Sequence, residues 1–336
     1  MSSIEEVTSK IDELFYDVRK YRKSSEFREL IRFVNRFKTL SPFNAMLAHI
    51  QRPESRFLLR ASDWKKKYDR GIKEDARPIV ILVPFGPVDF LFEVGDTYQL
   101  SPKLDGKDNI LDYLAQPYDT KEKINPLYHN ILIGSLPHSA IEFKTIRAGA
   151  NLGGKITLSN TKENLFINIG TSKEPYFHGF KSRFSISIND NATIEAQFSI
   201  LCHELGHLFC HHLPSPDRWW NQRHLSLTAE EFEAEVVTTL VCGHFGLQTQ
   251  SEKYLESYLS KNNYIPIEVS IDTMWTATND IIKMIENASF EKGLIFRYDK
   301  EFKALVKEYR AEKKKNKKVV KMVSDSEKLP ELPFES

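Results

Sequence analysis

Leu201-Cys-His-Glu-Leu-Gly-His207, running on into Leu208-Phe-Cys-His-His212, is the stretch from which the rest of the chain can be ordered. An α-helix turns once in about 3.6 residues, so His203 and His207 stand one above the other on one face. Two imidazoles at that spacing can hold one zinc ion. Glu204, the next residue along, can reach a water on that ion and act as its base. A catalytic zinc takes three protein ligands and leaves one position for water, so the third ligand has to come from another segment.

The next predicted helix, over 229–243, opens with Glu230-Glu-Phe-Glu-Ala-Glu235. Glu231 and Glu235 are four apart and share a face, so one can bind metal while the other orients a histidine. Two further readings stand beside this one. Thr228-Ala-Glu-Glu231 also has the form of a capping box, which would tie Glu231 to the helix terminus and leave Glu235 as the ligand. His211, four residues beyond His207, is an alternative third ligand, whereas His212 reads as a surface or supporting residue. Cys202 and Cys210 read as small apolar core residues. Gly206 is expected to leave room over the metal. His224, Tyr176 and His178 are the candidate donors to a developing oxyanion, and spacing does not choose among them. The predicted strand at 184–188, just before the motif helix, could pair with an extended peptide.

Composition narrows the class of protein. A chain of 336 residues with 41% hydrophobic and 28% charged residues is that of an ordinary globular protein, and no apolar run is long enough for a membrane span. Three cysteines without a CxxC argue against a disulfide framework, and the acidic N-terminus lacks the pattern of a signal peptide. The expectation is a cytoplasmic protein. Net charge is only +1, but residues 15–73 hold 16 Lys or Arg against 6 Asp or Glu, interleaved with aromatics. Such a stretch suits single-stranded nucleic acid, with Arg28, Arg32, Arg36, Lys65, Lys66 and Lys67 as the candidate contacts. It equally suits a solvated helix face, because Phe27, Leu30, Ile31, Val34 and Phe37 have the spacing of a core-facing stripe.

Along the chain, helical patterns are expected over 4–38, 43–50 and 61–68, with Ser41 as a cap and Pro42 at the first helical position. A proline-bounded apolar run at 78–84 predicts a buried strand, paired across Phe85-Gly-Pro87 with 88–94. Residues 101–126 read as a linker. Strands are expected at 155–158, 165–169 and 184–188, the motif helix over 195–211, and further helices over 251–260, 268–288 and 299–313. The predicted organisation is a basic N-terminal domain (1–120), a zinc metallopeptidase domain (121–310) and a charged tail (311–336) without fixed structure.

Two resemblances add to this. His203-Glu-Leu-Gly-His-Leu-Phe-Cys-His-His212, with a strand before it and Glu231-Phe-Glu-Ala-Glu235 after it, resembles the ImmA/IrrE family of gluzincin-type metallopeptidases. In that pattern the first acid of Glu-x-x-Ala-Glu is the metal ligand, which implies Glu231. Glu235, standing where the family usually has Asn or Asp, would then be the supporting residue. Ser41-Pro-Phe-Asn-Ala-Met-Leu-Ala-His-Ile-Gln-Arg-Pro53, with Trp64 and Ile72-Lys-Glu-Asp-Ala-Arg-Pro-Ile79, resembles the N-terminal domain of ArdC-type antirestriction proteins, a domain associated with single-stranded DNA. The likeness spans roughly residues 25–290. It implies an α+β chain, with a zincin-like domain (a mixed sheet plus the HExxH helix) behind a smaller basic α+β domain. It further implies zinc-dependent cleavage of a regulatory protein such as a transcriptional repressor. The competing expectation is a DNA-binding, antirestriction-type protein whose zinc is structural.

Overall fold

The computed structural model of the chain describes residues 21–83, 88–101, 123–147, 153–161, 164–215 and 218–326, with the backbone alone over 317–326. The architecture is mixed α+β. Helix α1 (Ser24–Arg36) buries Phe27, Leu30, Ile31, Phe33 and Val34 and turns its arginines outward. The Ser41 hydroxyl accepts a hydrogen bond from the Asn44 amide at 3.3 Å, and Pro42 starts α2 (Pro42–Gln51), as the sequence predicts. Helix α3 (Ala61–Tyr68) is pinned by the buried Trp64, whose indole N–H donates to the Phe92 carbonyl at 2.9 Å. Strand β1 (Leu58–Leu59) pairs with β4 (Asp89–Glu93), which also pairs antiparallel with β3 (Ile79–Ile81), Val80 standing opposite Phe90. The short strands β2 (Arg70–Ile72) and β5 (Thr97–Gln99) form a separate ribbon. The turn expected at 85–87, most of the linker at 101–126 and the start of the first predicted helix fall outside the described residues.

Helix α4 (Pro126–Ser135) leads into a three-stranded sheet ordered β6-β10-β7. Its members are β6 (Ile141–Ile146), β7 (Gly154–Leu158) and β10 (Phe184–Asn189). Strand β10 is parallel to β6 and antiparallel to β7. Phe184, Ile186 and Ile188 alternate into the core, the period-2 pattern of a strand covered on one face. Because β10 is central, both its edges are already paired. An extended peptide cannot add to residues 184–188 as the sequence suggests; the strand edge beside the motif helix belongs to β7. Strands β8 (Asn164–Asn168) and β9 (Phe177–Lys181) form a second ribbon.

Among the described residues six α-helices complete the fold. The motif helix α5 (Ile194–Phe209) is followed by α6 (Leu227–His244), α7 (Gln250–Lys261), α8 (Ile271–Glu286) and the short α9 (Leu294–Tyr298). Helix α10 (Lys300–Ser326) runs well past the 299–313 expected, into the stretch read as a tail. One hydrophobic cluster extends from Tyr21 to Leu294. Within it Phe27 of α1 packs against Phe232 of α6 at 5.7 Å and Trp275 of α8 at 6.3 Å, so the basic N-terminal helices and the motif helices share a core. Burying one such ring is worth about 1.5–3 kcal/mol, enough to hold a helix whose other face is fully charged. All three cysteines are free and buried. No helix among the described residues is long and apolar enough to cross a membrane.

Candidate metal centre

The Thr193 side chain caps α5 by accepting from the Ala196 amide at 3.3 Å. The helix buries Phe198, Leu201, Cys202, Leu205, Leu208 and Phe209, leaving His203, Glu204 and His207 on the face that meets α6 and β7. Gly206 decides how close α6 comes. A Cβ there would lie 3.2 Å from the Ala234 Cα and 3.3 Å from its carbonyl oxygen. The room that glycine leaves is therefore taken by the α6 backbone and not by space over a metal. This contact lays His203 and His207, one turn apart, alongside Glu231 and Glu235, also one turn apart.

The resulting geometry is compact. His203 Nε2 and His207 Nε2 are 3.2 Å apart. Glu231 places Oε2 at 3.4 Å from the first and Oε1 at 3.6 Å from the second. Bonds of about 2.0–2.1 Å at tetrahedral angles put neighbouring ligand atoms about 3.3–3.4 Å apart, which is the size of this triangle. His203, His207 and Glu231 thus form a candidate metal-binding group. Glu235 lies on the other side of His203, its Oε1 at 3.7 Å from Nδ1, and its buried Oε2 has no hydrogen-bond partner. Helix α6 begins at Leu227, so Thr228 is inside it and no capping side chain acts at its start. The capping-box reading of Glu231 fails for that reason, and its carboxylate is available to the histidines.

Electrostatics follow the same layout. Burial opposes a charge on His203, but its hydrogen bond to Glu231 and the charges of Glu235, Glu204 and Glu231 together raise its pKa. The cluster therefore attracts positive charge. His207 is pushed down to about 4 by burial and by the neighbouring His203 and His212, which keeps its ring neutral with a lone pair to offer. Burial raises Glu204, against the pull of His203 and of the Ile156 amide, which donates to Oε2 at 2.8 Å. The hydrogen bond to His203 leads the effects that lower Glu231.

Behind His207 stands His212, read from the sequence as a surface or supporting residue and here buried, together with Glu233 and Arg223, which the sequence did not single out. His207 Nδ1 is 3.0 Å from His212 Nδ1, and His212 Nε2 is 3.0 Å from Glu233 Oε2. Glu233 is fully buried and accepts from both guanidinium nitrogens of Arg223, at 2.6 and 2.8 Å, and from the Ser270 amide at 2.6 Å. Cys210, His212 and Glu233 also lie close enough together to suggest a second metal group. Arg223 already neutralises Glu233, and burial pushes the Cys210 thiol well up, so neither offers a free anionic ligand there. The available signal for Glu233 was its place between Phe232 and Ala234, on the buried face of α6 and away from Glu231.

The remaining predicted residues lie elsewhere. His211 sits in the left-handed region at φ 62°, and its ring stacks on Trp220 at 5.0 Å, outside the cluster. The helix has already ended at Phe209, so the four-residue spacing from His207 no longer aligns the two rings. Tyr176 stacks on Tyr309 at 4.8 Å and His178 packs against Phe302 at 5.7 Å, both on the β8–β9 ribbon beneath α10. His224 is exposed in the segment before α6. None of these three lines the cavity of about 800 Å³ that opens beside His203, Glu204 and Glu235. Tyr254 of α7 does line it, and its phenol is raised by burial and then by the charges of Glu235 and Glu231. No spacing marked Tyr254 in the sequence. Gly154 lets β7 close the opposite wall, since a Cβ there would meet Ile200 at 2.5 Å.

The arginine stripe is engaged with protein. Arg32 pairs with Glu256 at 2.9 Å, Arg28 donates to the Ser260 hydroxyl at 3.2 Å and Arg36 to the Ser55 carbonyl at 3.3 Å. Lys65, Lys66 and Lys67 are exposed on α3, with Lys67 at 3.6 Å from Asp63.

No protein-family model matches the sequence, and no curated protein matches it either. Among solved structures, a metal-free crystal structure of a plasmid-encoded antirestriction protein ArdC is similar over 74% of this chain and 84% of that one, at 14% identity and a TM-score of 0.32. A TM-score of that size is too low to carry the fold of one chain to the other.

Proposed function

We infer that the chain is a zinc-dependent metallopeptidase of zincin type, acting on a protein substrate. The observation that carries this reading is the triangle of His203 Nε2, His207 Nε2 and Glu231, with edges of 3.2, 3.4 and 3.6 Å and the Glu204 carboxylate beside it. His203, His207 and Glu231 would hold the ion. When bound, zinc supplies Lewis acidity that polarises a carbonyl and brings the pKa of a water towards about 7. Glu204 is the proton carrier: its carboxylate, held by the Ile156 amide at 2.8 Å, is placed to take a proton from the attacking water and return it to the leaving amine. The β7 edge beside Glu204 suits an extended peptide, paired backbone to backbone. Tyr254, on the far wall, faces the same cavity.

The test uses the full chain loaded with zinc and offered a proteome-derived peptide library, with new termini read by mass spectrometry. Cleavage by the wild type, abolished by a chelator and by Glu204→Gln, is the expected result. A protein that binds zinc one to one yet cuts nothing in the library or in folded protein mixtures would remove the peptidase reading. The rival is a DNA-binding protein with a structural metal. Lys65, Lys66 and Lys67 stand exposed for it, while Arg28, Arg32 and Arg36 also have protein partners in Ser260, Glu256 and Ser55.

A further inference from the structure

A carboxylate only accepts hydrogen bonds. Glu233 receives four donors, from the two Arg223 nitrogens, the Ser270 amide and His212 Nε2. A two-pronged ion pair with Arg223 and the Ser270 amide, all donating to its two oxygens, is the geometry of an ionised carboxylate. His212 must therefore carry its proton on Nε2. In the neutral ring that leaves a lone pair on Nδ1, pointing at His207 Nδ1 across 3.0 Å. Only a donor satisfies it, so His207 carries its proton on Nδ1. The lone pair of His207 is then on Nε2, the atom 3.2 Å from His203 Nε2 and 3.6 Å from Glu231 Oε1.

We propose that Glu233 and His212, anchored by Arg223, are positioning residues that fix His207 in its Nδ1–H tautomer and so aim its Nε2 lone pair into the cluster. The relay works through buried groups: His212 is 5% exposed and Glu233 is 0% exposed, so water does not compete for these hydrogen bonds. It joins four segments, namely the turn after α5, the loop at Arg223, the middle of α6 and the start of α8 at Ser270. The ring of His207 is therefore set by the packing of the whole helical layer and not by α5 alone. His203 is supported more loosely: its Nδ1 meets Glu235 at 3.7 Å, beyond hydrogen-bond range. The two histidines of the motif are thus unequally held, His207 as the fixed ligand and His203 as the adjustable one.

The effect on the tautomer stands on the metal-free protein, whereas the effect on metal binding rests on the function proposed above. Two measurements keep them apart. Long-range proton–nitrogen spectra of the metal-free full chain, with histidine labelled at nitrogen, should show His207 protonated on Nδ1. Glu233→Gln and His212→Phe should each lose that preference, since phenylalanine offers His207 no acceptor. A wild-type His207 protonated on Nε2, or an unchanged tautomer in both variants, overturns the proposal whatever the metal does. Zinc affinity by competition with a chromophoric chelator should fall about 10–100-fold in each variant, the range that a supporting partner of a histidine ligand commands. His212→Phe guards against a Glu233→Gln chain that fails to fold, with circular dichroism and melting of the metal-free form as the check. Affinities equal to wild type in a folded variant overturn the metal half. A wild type that takes up no zinc, with the tautomer as expected, overturns the metallopeptidase reading and leaves the relay in place.

Discussion

The Glu204 carboxylate accepts a hydrogen bond from the Ile156 amide of β7 at 2.8 Å, which ties the proposed proton carrier to the strand edge that faces the cavity. Glu204→Gln keeps the shape and can keep a bond to this strand, but it cannot carry a proton. Hydrolysis should fall by about 10²–10⁴-fold, the usual weight of a positioned acid–base group, with zinc content near wild type. Cleavage rates beside metal analysis on the same sample check it. A variant that cleaves at the wild-type rate removes Glu204 from the chemistry.

Glu231 and Glu235 are separable by metal affinity. Glu231 approaches both Nε2 atoms, whereas Glu235 approaches His203 Nδ1. Glu231→Gln should weaken zinc by at least about 100-fold and Glu235→Gln by about 10-fold, as read by chelator competition. In the wild type, zinc at a hundredfold excess over its Kd should stabilise the fold by about 2.7 kcal/mol, and Glu231→Gln should lose most of that gain. The reverse order of the two variants would make Glu235 the ligand.

Gly206→Ala sets two effects against each other. Alanine in place of glycine inside a helix gains about 0.8–1 kcal/mol. The added Cβ, at 3.2 Å from the Ala234 Cα, forces the α5 and α6 backbones apart, and overpacking costs about 1–3 kcal/mol. A net loss of about 1 kcal/mol is expected in denaturant unfolding, with weaker zinc binding because Glu231 moves with α6. A more stable variant that binds zinc normally would show that this contact does not set the site.

His138 gives a pH dependence away from the metal. Burial lowers its pKa from 6.5 to about 4 in the folded chain. Between those values the unfolded state binds a proton that the folded state does not. The contribution is therefore fully present above pH 6.5, falls as pH drops towards 4, and levels off below. The loss is at most about 3 kcal/mol, less after allowance for the partly exposed ring. Unfolding free energies of wild type and His138→Gln across this range check it; equal slopes would show that His138 titrates normally.

What could be read from the sequence divides along a physical line. The strands β3, β4, β7, β8 and β10 and the helices α2, α3, α5, α6 and α8 announce themselves by period, caps and prolines, which are local signals. So did His203 and His207, whose spacing lies within one helix; Glu231 did not, because spacing left Glu231, Glu235 and His211 open and only the family resemblance chose among them. The oxyanion candidates fared differently: Tyr176 and His178 belong to a ribbon packed under α10, and long-range packing leaves no mark on spacing. His211 misled because a four-residue interval has meaning only while the helix continues, and here it stops at Phe209. Glu233 was hidden among three acids at a helix start, where its burial could not be seen. The protein partners of the α1 arginines left no mark either: Glu256 and Ser260 on α7 lie 224 and 232 residues from Arg32 and Arg28 in the chain and meet them only in the fold.

The contact between Gly206 and Ala234 also changes what counts as the motif. In HExxH the two middle letters stand for any residue, and here the second of them is the position at which two helix backbones touch. The grammar of the site is thus longer than its histidines. It reads as a glycine one place before the second histidine, matched by a small residue three places after Glu231. A pattern written that way selects chains whose helices can meet, whereas the shorter one selects only chains that contain the ligands.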